Sequence, residues 1–190
     1  ATHEVVVIPD ETLHIELLWH TPEDLDETDT GPEAGADIDL HLLHPWAAGP
    51  DLNGDGAPDG WFDTPFDCFW FNGDPNWGSY DPGIEDDPGL DRDDTDGAGP
   101  EIINLHIGEN VLYRVGAHYW NDHGYGNSLI TVRIYLEAVL IYETAAVEMV
   151  DSDLWEVGVL DWPAATFTPQ FDEDGQPVIT PQYHNPYFFQ

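Results

Sequence analysis

Along this chain the apolar positions recur with period two in short runs, and the runs are separated by Gly, Pro, Asn and Asp. Alternation of that kind sends successive side chains to opposite faces of an extended strand. The Val, Ile, Thr and aromatic residues that fill the runs suit a pleated, half-buried surface. Strands are predicted over HEVVVIP (3–9), TLHIELLWH (12–20), ADIDLHLLHP (36–45), CFWF (68–71), EIINLHI (101–107), VLYRVGAHYW (111–120), SLITVRIYLEA (128–138), VLIYE (139–143) and LWEVGVLDW (154–162). No window carries a helical repeat. About eight strands joined by long loops, with 18 glycines and 16 prolines, predict an all-β fold. The expected form is an antiparallel β-sandwich of jelly-roll or Ig-like type.

Four stretches break the alternation. Residues 21–35, 46–67 and 72–100 are long acidic loops within a single predicted sandwich domain, 1–162, and loops of that length inside a domain are usually functional. Residues 163–190 hold five prolines and six aromatic residues and read as an extended C-terminal arm, which either wraps its own domain or docks on another subunit.

Charge changes the picture most. Against 39 acids stand 3 bases, Arg92, Arg114 and Arg133, giving a formal net charge of −36. Such a chain repels phosphate and anionic headgroups, which argues against nucleic-acid or membrane-surface partners. Without lysine there is neither a Schiff-base nucleophile nor a P-loop. No apolar run approaches the roughly 20 residues of a membrane-spanning helix. Two conditions make the acidity tolerable, high salt or multivalent cations held at specific sites. Residues 51–96 carry fourteen acids and one base, the clustering that ion sites require, while acids also dot the strands and tails as in a salt-adapted surface. Cys68 stands alone, so no intrachain disulfide framework exists, and packing is the expected role of its thiol.

Three segments carry candidate chemistry. In ADIDLHLLHP, Asp37, Asp39 and His41 share one face and Ile38, Leu40 and Leu42 the other. The apolar face belongs to the core, and the polar face is either solvated or part of a cation site. In LDRDDTDGAGPE (90–101), Asp91, Asp93, Asp94, Asp96 and Glu101 supply the hard oxygens that Ca²⁺ takes, and Gly97 and Gly99 let the backbone turn. In DLNGDGAPDGWFD, Asp51, Asn53, Asp55 and Asp59 fall at positions 1, 3, 5 and 9, with Gly56 at position 6. That spacing resembles the calcium loops of thrombospondin type 3 and dockerin-like repeats, but Phe62 stands where an EF-hand has Glu, so Asp63 or Asp59 would have to complete the shell. An Asx-rich turn uses the same residues. Trp70, Trp77 and Tyr80 lie among Asn and Asp in CFWFNGDPNWGSYDPG and are candidate glycan contacts, or else aromatic caps on the sandwich.

DIDLHLLHP, LDRDDTDGAGPEIINL and LYRVGAHYW come in an order and spacing similar to bacterial extracellular β-sandwich domains of the YfaP-like type, over about residues 36–143. The resemblance implies a secreted or surface-exposed sandwich without known catalysis, whose acidic motif binds Ca²⁺. A chain opening at Ala1 fits the processed form of a secreted protein. None of the three serines sits in a nucleophile elbow, and the nine histidines lack transition-metal spacing, so no enzyme is expected. The expectation is an extracellular or cell-surface Ca²⁺-binding structural protein. It would self-assemble or contact other surface proteins by strand addition, with HEVVVIP as the donor strand. The alternative is an adhesion module that binds polysaccharide through its Trp-rich loops.

Overall fold

Leu13, Ile15, Leu17 and Trp19 alternate along the first strand and are all buried, the pattern of a strand with one face in a core. The computed structural model describes residues 12–31, 34–52 and 54–188. Among these, twelve strands are present: β1 (Leu13–His20), β2 (Asp37–Leu43), β3 (Asp67–Cys68), β4 (Gly89–Arg92), β5 (Glu101–Leu105), β6 (Leu112–Asn121), β7 (Ser128–Leu136), β8 (Val139–Glu143), β9 (Val147–Met149), β10 (Leu154–Asp161), β11 (Thr166–Pro169) and β12 (Val178–Thr180). They form two six-stranded antiparallel sheets, and no described residue is helical. Sheet A runs β4-β5-β1-β7-β8 with β9 also on β7, and sheet B runs β11-β10-β6-β2-β3 with β12 also on β10. The predicted β-sandwich is therefore present.

Between the sheets lies one continuous core. Sheet A contributes Leu13, Ile15, Leu17, Ile103, Ile130, Val132 and Ile134, and sheet B contributes Ile38, Leu40, Leu42, Val115, Ala117 and Tyr119. Cys68 is fully buried in it, and burial raises its thiol well above the usual range, so it packs as a small apolar residue.

The outer face of sheet B is covered as well. Trp61, Phe62 and Phe69 from the segment after β2, with Tyr183 near the chain's end, form a second buried cluster against Leu43 and Leu154. Gly116 makes room for it, since a Cβ there would lie 2.7 Å from the Trp61 ring. Under this cover, His41 Nδ1 meets Asp67 Oδ2 at 2.8 Å, and the Phe62 N–H donates to the same oxygen at 2.7 Å. Consequently β2 is buried on both faces, and its polar face is not a solvated one.

Several boundaries differ from those read in the sequence. The predicted 68–71 strand ends at Cys68, where the Asn72 N–H turns back to the Phe69 carbonyl. The 72–100 loop contains β4, and β9 was not anticipated. The arm beyond 162 contributes β11 and β12, both paired with β10, so it wraps its own sandwich and is not separate from it. The predicted 3–9 strand lies outside the described residues.

One consequence of these pairings positions the site. β3 pairs with β2 only at Leu42 and Leu43, so the N-terminal part of β2 has no strand on that side. The Glu101 carboxylate fills the place, accepting the Leu40 N–H at 2.6 Å.

Candidate metal centre

At that open edge three carboxylates converge. Asp39 from β2, Asp93 from the β4–β5 loop and Glu101 from the start of β5 bring ligand oxygens within 4.8 Å of one another, the one such group of three or more among the described residues. Asp39 and Glu101 are 2% and 0% exposed, whereas Asp93 is exposed at the mouth. Asp37, two positions before Asp39 and largely buried, lines the same cavity, a space of about 210 Å³ bounded further by Trp70, Thr95 and Trp120. Trp70 and Trp120 meet edge to face with centroids 5.2 Å apart.

The electrostatics of this cluster are unbalanced. Asp37 Oδ1, Asp39 Oδ2 and Glu101 Oε1 are buried oxygens without a hydrogen-bond partner. Burial, with Asp93 next in weight, pushes the Asp37 carboxyl up to about 7. Burial and then Asp37 hold Asp39 well above the carboxylate range, and burial and then Asp39 do the same to Glu101. His118 lies 4.0 Å from Asp39 Oδ2 and is itself pushed down to about 3 by burial, so it brings no positive charge at neutral pH, while His123 acts to lower Asp37 but is outweighed by burial and Asp93. Buried carboxylates of this kind carry a large desolvation penalty unless a cation or a proton joins them.

The donor set is chemically specific. Oxygens that share one Ca²⁺ at about 2.4 Å can lie no more than about 4.8 Å apart, which these satisfy. With only carboxylate oxygens and no imidazole or thiolate in the group, the site suits a hard cation.

Local structure explains why only some acids of the 90–101 stretch arrive here. Asp91 accepts from the Asn104 side chain, Asp94 pairs with Arg92 at 3.1 Å, and Asp96 accepts the Gly31 N–H. These three tie the loop to β5, to itself and to the 21–35 segment, and leave Asp93 to face Asp39. Gly35 and Gly97 are in contact: a Cβ on Gly35 would fall 2.4 Å from the Gly97 nitrogen. Gly97 and Gly99 both have φ near +81°, as the predicted turn required.

The 51–63 loop is arranged differently. Asp51 accepts the N–H groups of Gly54 at 2.6 Å and Gly56 at 2.9 Å, Asp55 that of Ala57, and Asp63 that of Ala48. Asp59 is buried and accepts the Leu52 N–H at 2.7 Å. Asn53 lies outside the described residues. The described carboxylates thus bind backbone amides, Asp55 in an Asx turn and Asp51, Asp59 and Asp63 over longer spans of the loop, and no three of them converge as the 39/93/101 group does.

Of the three aromatic candidates, Trp70 lines the cavity and Tyr80 is exposed but stands apart from it. Trp77 is buried, stacked on Tyr113 with centroids 5.7 Å apart and its indole N–H donated to the Pro65 carbonyl, so it belongs to the core and cannot contact a ligand. Sequence reading did not single out Trp120 or Thr95. The available signal was register: β6 pairs with β2 so that His118 stands opposite Asp39, which places Trp120, two residues on, beside Asp37. Comparisons with family models, with curated proteins and with solved structures give no match to this chain.

Proposed function

We propose that this chain is a Ca²⁺-binding β-sandwich with a structural or adhesive role at the cell surface, in which the ion clamps the two sheets together at the open edge of β2. The observation that carries the reading is the convergence of buried, unpartnered oxygens from Asp39 on sheet B and Glu101 on sheet A, with Asp93 completing the triad from the connecting loop. A cation there joins both layers through one centre. With the ion at about 1,000 times its Kd, the folded state gains about 4 kcal/mol, a condition that suits surroundings where Ca²⁺ is abundant.

The test is isothermal titration calorimetry with Ca²⁺ in molar NaCl, alongside Tb³⁺ luminescence sensitised by the Trp70 and Trp120 that line the cavity. Saturable binding that Asp39→Asn and Asp93→Asn each weaken at least tenfold supports the proposal. Absence of Ca²⁺ heat, with stability responding to NaCl alone, would assign the acidity to a salt-adapted surface instead.

A further inference from the structure

A cation held by these carboxylates is not fully enclosed. Glu101 has committed Oε2 to the Leu40 N–H and offers Oε1, while Asp37 and Asp39 each have one unpartnered buried oxygen. Asp37 stands outside the converging trio, so with one or two oxygens from Asp93 the chain supplies three or four, against the roughly 6–8 that Ca²⁺ takes. At least two positions are left for oxygens that come from outside, and the cavity lined by Asp37, Asp39 and Asp93 gives access to them. The Trp70–Trp120 pair, both half-buried, lines it together with the acids, and the exposed Thr95 adds a hydroxyl.

Resting on the cation reading above, we propose that this cavity binds a neutral glycan through one sugar ring, two adjacent hydroxyls of which complete the Ca²⁺ shell while its apolar C–H face lies on Trp70 or Trp120. Each half of the ligand chemistry matches one wall. Paired oxygens in place of two waters satisfy the ion, and the aromatic rings present apolar surface to the weakly polar face of the sugar. Three carboxylates on one divalent ion, with Asp37 beside them in the cavity wall, leave the pocket negative, and the chain carries −36 overall, so an uncharged sugar is accepted and a uronate or sulfated one refused. At about 210 Å³ the space is small beside the ~300–1,000 Å³ typical of drug-sized ligand sites, which fits a single ring of a polymer whose remaining units stay in solvent.

The experiment is affinity electrophoresis of the whole chain in gels cast with mannan, galactan or dextran, in millimolar Ca²⁺ and in EGTA, with Ca²⁺ affinity measured separately by calorimetry. Retardation by at least one of these neutral polysaccharides in Ca²⁺, abolished by EGTA, is expected. Trp70→Ala and Trp120→Ala should each weaken retardation about 3- to 10-fold while Ca²⁺ affinity stays within about twofold. Because Trp70 also packs against Phe188, Trp70→Phe serves as a variant that keeps an aromatic ring, and saturation-transfer NMR with methyl α-mannoside reads contact without mutation. Calcium binding without retardation by any of the three polymers overturns this inference and leaves the cation reading standing. Absence of calcium binding removes both. Retardation that persists in EGTA overturns the chelation on which the inference is built.

Discussion

Replacing Glu101 by glutamine keeps an acceptor for the Leu40 N–H but removes one charge from the buried trio, so the sign of its effect on stability should depend on calcium. Ligand oxygens of Asp39, Asp93 and Glu101 lie within 4.8 Å of one another. Two unit charges at that distance repel by about 3.5 kcal/mol at an effective dielectric near 20, so Glu101 fully ionised would face about 7 kcal/mol from its two neighbours. The ion-free chain relieves part of this by holding protons, as the upward shifts of Asp39 and Glu101 indicate. Each pKa unit of that shift represents about 1.4 kcal/mol. Glu101→Gln is therefore expected to stabilise the calcium-free protein at pH 7 by about 1–3 kcal/mol, at about 2–4 °C per kcal/mol for a chain of this size. In millimolar Ca²⁺ the order reverses, because the parent chain gains about 4 kcal/mol that the variant largely forfeits. Differential scanning calorimetry in EGTA and in Ca²⁺, both in molar NaCl, reads the two differences. A glutamine variant that is less stable by the same amount in both buffers would mean that Glu101 only caps the β2 edge, and the electrostatic reasoning would be wrong.

Other outcomes follow from the same geometry. In EGTA and molar NaCl, where the Debye length is about 3 Å, stability should fall as pH rises from about 4 to about 7. Folded Asp37, Asp39 and Glu101 retain protons in that range that the unfolded chain has released. His118, pushed down to about 3, and His44, also lowered by burial, act in the opposite sense, but Asp67, Asp94 and Asp153 are raised as well and add to the three carboxyls of the site. Urea midpoints at successive pH values measure the slope, and a midpoint that climbs across this window refutes the assignment. Asp67→Ala strands the His41 Nδ1 and the Phe62 N–H in a buried cluster and should lower stability by about 2–5 kcal/mol in denaturant titrations. Asp67→Asn should do less harm. Gly35→Ala forces a methyl against the Gly97 backbone, at an expected loss of about 1–3 kcal/mol, and should weaken calcium at least tenfold by displacing Asp93. If calorimetry finds its affinity unchanged, the seating of Gly97 on Gly35 does not position the ligand.

Strict alternation made most of the sandwich legible in advance, because a strand with one face in the core must alternate. That holds for Leu13 to Trp19 in β1 and for Tyr113 to Tyr119 in β6. It failed where pairing partners and not side chains define the strand. β4 is a strand because Leu90 pairs with Ile103, although its own sequence is part of an acidic run, and β11 and β12 are short pieces that owe their form to the edge of β10. The grouping of Asp37 and Asp39 with the 90–101 stretch could be anticipated from faces and charge. Which acids reach the centre could not, since that depends on Asn104, Arg92 and Gly31 drawing Asp91, Asp94 and Asp96 away. For the 51–63 loop, local spacing is shared by calcium loops and Asx turns, and only the direction of each carboxylate separates them. Trp77 looks like an exposed aromatic in sequence because Asn and Gly surround it, yet its indole reaches Tyr113 across the core.

The route of the C-terminal segment bears on when this molecule can fold at all. Tyr183 and Phe188 roof the aromatic cluster over β2, and β12 lies on β10, so sheet B and its outer cover depend on residues far along the chain from the strand they cover. A chain made only as far as β9 holds the residues of β1 to β9 but leaves Trp61, Phe62 and Phe69 without Leu154 and Tyr183. A nascent chain in this state exposes apolar surface of the kind chaperones bind, until the residues from 150 to 188 cover it. Closure of the cover over β2 is thus a late step of folding, set by residues 150–188.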